Sequence, residues 1–367
     1  MSAPGGMVAL VGDVVVAGSG LPDAGLVRKW LDEAADAPAA LPDEGYVALL
    51  GADGPELDEL CRTADLLRHQ ATGDVLTYAV NRNLDTAAVS GTSAPARARL
   101  TALVAEAREL GATEICMQGP LPTDSDDDYL ALIEAIAQAG PIHLHAFRAP
   151  ELLDGAARRE MPLPDFLAAA REAGLGSVPG TAARILDDDV RARLLGGPDL
   201  PVRTWTEVIE TAHRAGLFST STMVYGHIET PAQQVAHLRL LAEIQDRTGG
   251  FHEFIAMPFS PGPVSPGVGS LPGPSWRQTR AVHAVARLLL HGRIANIQAA
   301  WPKFGFDASV DLLRGGANDL GGLLLDGRLA PESFAEAGLT LSTREIEQAA
   351  QALGRTARQR TTGYADV

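Results

Sequence analysis

From about residue 74 the chain alternates between two patterns of apolar and polar positions. Short apolar runs bounded by Gly, Pro or polar residues read as strands, and longer stretches with an apolar position every three or four residues read as helices. The strand candidates are Val75–Val80, Glu114–Gly119, Ile142–Phe147, Gly176–Pro179, Ser219–Tyr225, Glu253–Pro258 and Ala295–Trp301, with Asp319–Leu323 as an eighth. Between them lie helical patterns at Ala96–Leu110, Asp127–Ala139, Leu163–Ala173, Thr204–Ala215, Pro231–Thr248 and Ser275–His291. The runs are short and apolar, as expected of strands covered on both faces. Repeated β/α units of this kind close most simply into a TIM-type (β/α) barrel. An open doubly wound sheet is the alternative, but no G-x-G-x-x-G turn follows the first strand.

The same pattern divides the chain. Residues 1–72 read as a helical N-terminal layer, with one amphipathic stretch from Gly20 to Trp30 and another from Pro55 to His69, where Leu57, Leu60, Cys61 and Ala64 share a face. The barrel occupies 73–330, and 331–367 form a C-terminal helix and a polar tail, partly ordered at best from Arg355. After Pro258 come Pro261, Pro263, Pro266, Pro272 and Pro274, a stiff loop that either covers the pocket mouth or simply connects.

Chemistry in such a barrel sits at the C-terminal ends of the strands. That rule selects Asn81-Arg82-Asn83, Gln118-Gly119, His145, Tyr225, His227, Glu229 and Gln298 to Trp301. Gln118, Asn296 and Gln298 are amides that must be hydrogen-bonded if buried, to a ligand or within a structural network. Trp301 is either a stacking platform or a core residue. His143 and His145 share one face of a strand and, with His227 and Glu229, have the donor types of a metal site; packed strand histidines are the plainer reading. The acidic run Asp124–Asp128 lacks the glycine and glutamate of a calcium loop and reads as a solvated helix start.

Composition narrows the function. The net charge of −16 and near-absence of lysine argue against nucleic acid. Two cysteines cannot make a four-sulfur zinc site or a three-thiolate cluster site. No apolar run spans a bilayer and no secretory leader is visible, so a reduced, cytoplasmic location is expected. Cys116, flanked by apolar residues, reads as an inert core thiol.

Several blocks in order resemble one family. They are Glu114-Ile-Cys-Met-Gln-Gly119, Gly174-Leu-Gly-Ser-Val-Pro-Gly-Thr-Ala-Ala183, Ser219-Thr-Ser-Thr-Met223 with Tyr225-Gly-His227, His283-Ala-Val-Ala-Arg287, Asn296-Ile-Gln298, Gly316-Ala-Asn-Asp-Leu-Gly-Gly322 and Arg358-Gln-Arg-Thr-Thr362. Together they resemble the radical-SAM family that builds the deazaflavin (FO) chromophore, in the half that joins a tyrosine-derived hydroxyphenyl group to a ribitylaminouracil. The resemblance covers roughly residues 55–364 and implies a barrel of the radical-SAM kind that binds S-adenosyl-L-methionine (SAM). It also implies that Tyr225, His227 and Glu229 line the pocket. Their side chains offer donors and an acid or base for proton transfer, while Glu229-Thr230-Pro231 also reads as the start of a helix capped by Thr230. Asn81, Asn83, Gln118, Gly119, His145, Asn296, Gln298 and Trp301 are expected around the ligand.

The chain departs from that pattern where the chemistry would be. The family's Cys-x3-Cys-x2-Cys loop is expected after the Asn81-Arg82-Asn83 turn, yet Leu84 to Pro95 contains no cysteine or histidine. Ser, Thr and Asp are poor substitutes for thiolate at soft-ligand iron, so no 4Fe–4S cluster is expected. Pro120, Arg148, Arg184 and the Leu324–Gly327 stretch also replace family residues. Arg148 and Arg184 are anion-seeking and are expected at the barrel mouth, as a ligand site or as drift. Three readings follow: a non-radical transferase or cyclising enzyme acting on SAM or an aromatic or ribityl-bearing small molecule, a non-catalytic binding or partner protein of a deazaflavin-type pathway, and a metal-dependent lyase or hydrolase. In each the partner is a small molecule, not nucleic acid or a membrane; the oligomeric state stays open.

Overall fold

The computed structural model describes residues 23–260, 271–324 and 341–367. Eight parallel strands form a closed barrel: β1 (Val75–Asp85), β2 (Glu114–Gln118), β3 (His143–Ala146), β4 (Leu175–Val178), β5 (Phe218–Tyr225), β6 (Phe251–Pro258), β7 (Asn296–Gln298) and β8 (Asp319–Leu324). Each pairs with the next, and β1 pairs with both β2 and β8, so the barrel has no free edge. The fold is the TIM-type (β/α) barrel that the alternation predicted.

Helices fill the crossovers, and their ends follow local chemistry. Asp128 caps Tyr129–Ala139 by accepting from the amides of Leu130 and Ala131, so the acidic run starts a helix. Thr230 and Gln233 form a capping box ahead of Pro231–Thr248, with Pro231 at the first position. Helices Ala24–Asp36, Asp43–Leu50 and Gly54–Thr72 form the N-terminal layer. That layer packs on the outside of Pro231–Thr248 and Trp276–Leu289. The start of the first amphipathic stretch, Gly20 to Pro22, and the prolines of 261–270 lie outside the described residues.

Two expectations change. Asn81-Arg82-Asn83 is not a turn but part of β1, which runs on to Asp85. Alternation explains this: Asn81 and Asn83 face inward, while Arg82 is buried against the helix Ala94–Glu109 and donates to Leu103 O. The polar tail is also structured. Thr356–Gln359 forms β9, parallel to the first half of β1, below the level where β2 takes over that edge. The chain then turns beneath the barrel and its side chains enter the floor.

Candidate functional site

Inward-facing residues alternate along the strands and line one cavity of about 180 Å³. Its upper wall carries Asn81 and Asn83 from β1, Gln118 from β2, Thr181 after β4, Gln298 from β7 and Lys303 from the segment that follows. The level below holds Cys116, His145 and Thr220, and the floor holds Glu114, Glu253 and Arg360.

Two glycines of β8 make room for the amides. A Cβ on Gly322 would sit 1.9 Å from Asn81 Oδ1, and one on Gly321, whose φ is +75°, would sit 1.6 Å from Gln298 Nε2. The amides occupy the volume that side chains would otherwise fill. Asn81 Nδ2 donates to Asn83 Oδ1 at 3.0 Å, but buried Asn81 Oδ1 has no partner among the described residues. Gln118 Oε1 accepts from Thr181 at 3.2 Å.

The floor is charged and closed. Arg360 donates to Asp319 Oδ2 at 2.6 Å, to Asp319 Oδ1 at 2.9 Å and to Glu253 Oε2 at 3.1 Å. The Tyr364 hydroxyl donates to the same Glu253 oxygen at 2.6 Å, and Thr362 donates to Glu114 at 2.5 Å. Burial opposes the charge on Arg360, but Asp319, Tyr364 and Glu253 hold it well above its ordinary pKa. Glu253 is pushed up to about 7, because burial and the Asp319 charge outweigh Arg360. His145 is lowered to about 3 by burial and the Arg360 charge, so its ring is neutral.

Among the residues singled out from sequence, Asn81, Asn83, Gln118, His145 and Gln298 come together on this cavity. Tyr225, His227, Glu229, Gly119, Arg148, Arg184, Asn296 and Trp301 do not line it. Tyr225 is fully buried on the outer face of β5, where its hydroxyl donates to Thr279. His227 and Glu229 line a separate depression at the start of the helix Pro231–Thr248. There Glu229 accepts from the amides of Gly226 and His227 and from Gln234, a local clamp on the turn. Gly119 follows β2 with φ +106°. Arg148 precedes the helix Ala149–Arg158 and pairs with buried Glu151. Arg184 pairs with Asp199, so both arginines already have carboxylate partners and neither faces the cavity. Asn296 donates to His252 O and accepts from Asn318. Trp301 is a core residue whose indole donates to Gly322 O.

Sequence reading missed Glu114, Glu253 and Arg360, and it misplaced Cys116, which is half-buried on the cavity wall. One signal was available: a carboxylate inside an apolar strand is almost never buried without a partner. Glu253 within Phe251–Pro258 therefore called for a cation.

The residues present do not fit a cluster of the kind the resemblance implies. The connection after β1 folds as a short helix, Thr86–Val89, capped by Asp85. It then closes on Asp127, whose carboxylate accepts from Gly91 N at 2.7 Å and pairs with Arg97 at 2.5 Å. The chain's two cysteines lie elsewhere, Cys61 in the helix Gly54–Thr72 and Cys116 in β2. Among the described residues no group of three or more His, Cys, Asp or Glu is placed to hold a metal ion. His143 and His145 are separated from His227 and Glu229, which belong to the other depression.

No protein-family model matches the chain. It is 44% identical over 350 residues to the FO synthase of Nocardia farcinica (strain IFM 10152), covering 90% of this chain and 40% of that protein. The FO synthase of Mycobacterium leprae (strain TN) is 42% identical over 348 residues, again with 40% of its length covered. The chain thus spans about 40% of the length of these relatives. The 5-amino-6-(D-ribitylamino)uracil–L-tyrosine 4-hydroxyphenyl transferase of Methanothermobacter thermautotrophicus (strain Delta H) is 38% identical over 360 residues, 93% of this chain and 97% of that one. In fold the chain is similar to HydG, a maturase of the [FeFe]-hydrogenase, with TM-score 0.67, 14% identity, and 93% and 77% of the two chains covered. Methylornithine synthase (PylB) gives TM-score 0.62 at 16% identity, with 90% and 97% covered. With a relative of this identity matched over nearly its whole length, the chain belongs to the FO synthase family, in the part that corresponds to the hydroxyphenyl transferases.

Proposed function

We propose that this chain binds a small, hydrogen-bond-rich molecule in the barrel lumen and acts on it without a radical step, as a transferase or cyclising enzyme of a cofactor or natural-product pathway. The observation that carries the reading is a contrast within one site. The lumen keeps a polar wall, including a buried Asn81 carbonyl with no partner among the described residues, while the connection after β1 contains no thiolate. A cluster in the relatives' manner has no ligands in this chain, so no step is routed through one.

The relatives' name points to the ligand class, an aromatic or ribityl-bearing molecule of the ribitylaminouracil kind. Amides suit such a ring because each offers a donor and an acceptor side by side. Asn81, Asn83, Gln118 and Gln298 would orient it, with Glu253 and His145 below as groups able to exchange a proton. SAM is the competing occupant, as a polar group donor. The two cysteines form no disulfide with each other, which fits a reducing compartment, the cytoplasm. No helix among the described residues is long and apolar enough to cross a membrane.

The test is titration calorimetry and native mass spectrometry with 5-amino-6-(D-ribitylamino)uracil, L-tyrosine and SAM, beside anaerobic iron–sulfide reconstitution. One of these ligands should bind, with loss of affinity in Asn81→Ala and Gln298→Ala, and no stoichiometric cluster should form. A stable cluster, or binding indifferent to both substitutions, would overturn the proposal. Tight binding with no product under any combination would favour the second reading, a binding protein of the pathway.

A further inference from the structure

We infer that His145, Ser177 and His143 form a proton path from the barrel lumen to its lower rim, passing beside the closed floor. The proposal takes its purpose from the lumen being the working site, but the path itself stands on separate geometry.

His143 and His145 project to the same side of β3. The β3–β4 register shifts between Leu144 and His145, so that Leu175 and Ser177 are the partners and Gly176 is passed over. Gly176 is required there, since a Cβ on it would lie 2.3 Å from His143 Cε1. In the space so left the His143 ring reaches up the strand towards the level of His145, and its Nε2 lies 2.7 Å from Ser177 Oγ. From the other side His145 Nδ1 lies 2.6 Å from the same oxygen. Ser177 is completely buried.

A serine hydroxyl has one hydrogen. With a ring nitrogen on each side, it gives that hydrogen to one and receives the N–H of the other. The three groups therefore form a directional chain rather than two separate contacts. Both rings are neutral, His143 lowered to about 4 and His145 to about 3, chiefly by burial. Each ring thus has one N–H and one lone pair, as a relay requires. Glu114 favours charge at the outer ring, and Arg360 opposes it at the inner one.

The two ends of the chain open to different places. His145 lines the lumen. His143 begins β3 and is half-buried, its ring stacked on Phe218 at 5.4 Å, which in turn stacks on His252 at 4.1 Å. Between these ends Arg360, Thr362 and Tyr364 close the centre of the floor. A ligand filling the mouth would leave this as the exit for a proton. In the outward direction His145 Nε2 takes a proton from the lumen and its Nδ1–H passes to Ser177 Oγ. The Ser177 hydrogen passes to His143 Nε2, and the His143 Nδ1–H leaves to water. Each group ends with as many protons as it began with, in the other tautomer.

The experiment needs no ligand. In 15N-labelled protein, two-dimensional NMR of the histidine rings identifies the ring proton shared with Ser177 and measures its exchange with solvent. His143→Gln keeps a hydrogen-bonding group beside Ser177 but cannot relay a proton, and Ser177→Ala breaks the chain independently. The proposal expects exchange at His145 to slow at least tenfold in either variant, with the backbone amides of Leu144 and Ala146 exchanging as in the parent. A histidine with a merely structural role would give the opposite sign, because its loss loosens the site. An unchanged or faster rate in a variant with parental amide exchange overturns the path. Because the readout is free of ligand, its failure is distinguishable from a failure of the proposed function.

Discussion

Arg360 offers the sharpest test of how the barrel is held. It is buried against Asp319 and Glu253, with its guanidinium 4.0 Å from the centre of the Tyr364 ring. Arg360→Met keeps the length and apolar volume but leaves two buried carboxylates without their cation. Removing one partner of a buried ion pair costs about 3–5 kcal/mol, since the remaining charge is neither solvated nor compensated. At about 2.1 cal/mol/K of unfolding entropy per residue, a loss near 4 kcal/mol lowers Tm by roughly 5–6 °C in a domain of this size. The loss should depend on pH in a definite sense. Glu253 already titrates at about 7 in the folded chain, above the ordinary carboxylate value, because of burial. A carboxyl with a raised folded pKa binds more protons folded than unfolded, so its stabilisation is lost as pH rises through the folded pKa. Without Arg360 the Glu253 carboxyl rises further, and the deficit should be larger at pH 8 than at pH 5. Adding Asp319→Asn and Glu253→Gln should recover most of it. Calorimetric or circular-dichroism melting at the two pH values reads all three variants. A Tm within 1 °C of the parent at pH 8, or a deficit that grows on acidification, refutes the reasoning.

Other outcomes follow from the same packing. Gly322→Ala drives a methyl into the Asn81 amide, so the variant should lose about 1–3 kcal/mol in denaturant unfolding, as overpacked sites do, and should weaken lumenal ligand binding. Tyr225→Phe removes only an outward hydrogen bond to Thr279, at a cost of about 0.5–1.5 kcal/mol, and should leave ligand affinity unchanged by calorimetry. Half-buried His213 and buried His237 and His283 are lowered to about 4, 3 and 4, chiefly by desolvation. With His143 and His145 they bind fewer protons folded than unfolded, so they outweigh Glu253 and stability should fall as pH drops from 6.5 towards 4 in urea titrations.

The barrel was legible because its strands are apolar runs and its helices carry their caps in sequence, as at Thr230 and Gln233. The upper wall was legible too, since Asn81 interrupts an apolar strand and Gln118 and Gln298 are polar residues at strand ends. Facing was harder to read. Tyr225 lies an odd number of positions from lumen-lining Thr220 and so points outward, but nothing in β5 alone says which face is inner. The floor was illegible for another reason. Glu114, Glu253 and Asp319 are matched by Arg360, Thr362 and Tyr364 from a tail that looks like a polar terminus. That complementarity exists only once β9 pairs with β1.

The β9–β1 pairing has a kinetic consequence. It joins strands separated by most of the chain, and contacts of such long range form late and slowly. A nascent chain can close its eight strands before residues 356–364 have emerged. During that interval the floor carboxylates have no counter-ion, and the barrel stays incompletely stabilised. Emergence of residues 356–364, rather than closure of the barrel, then marks the point at which the barrel becomes resistant to unfolding and to proteases.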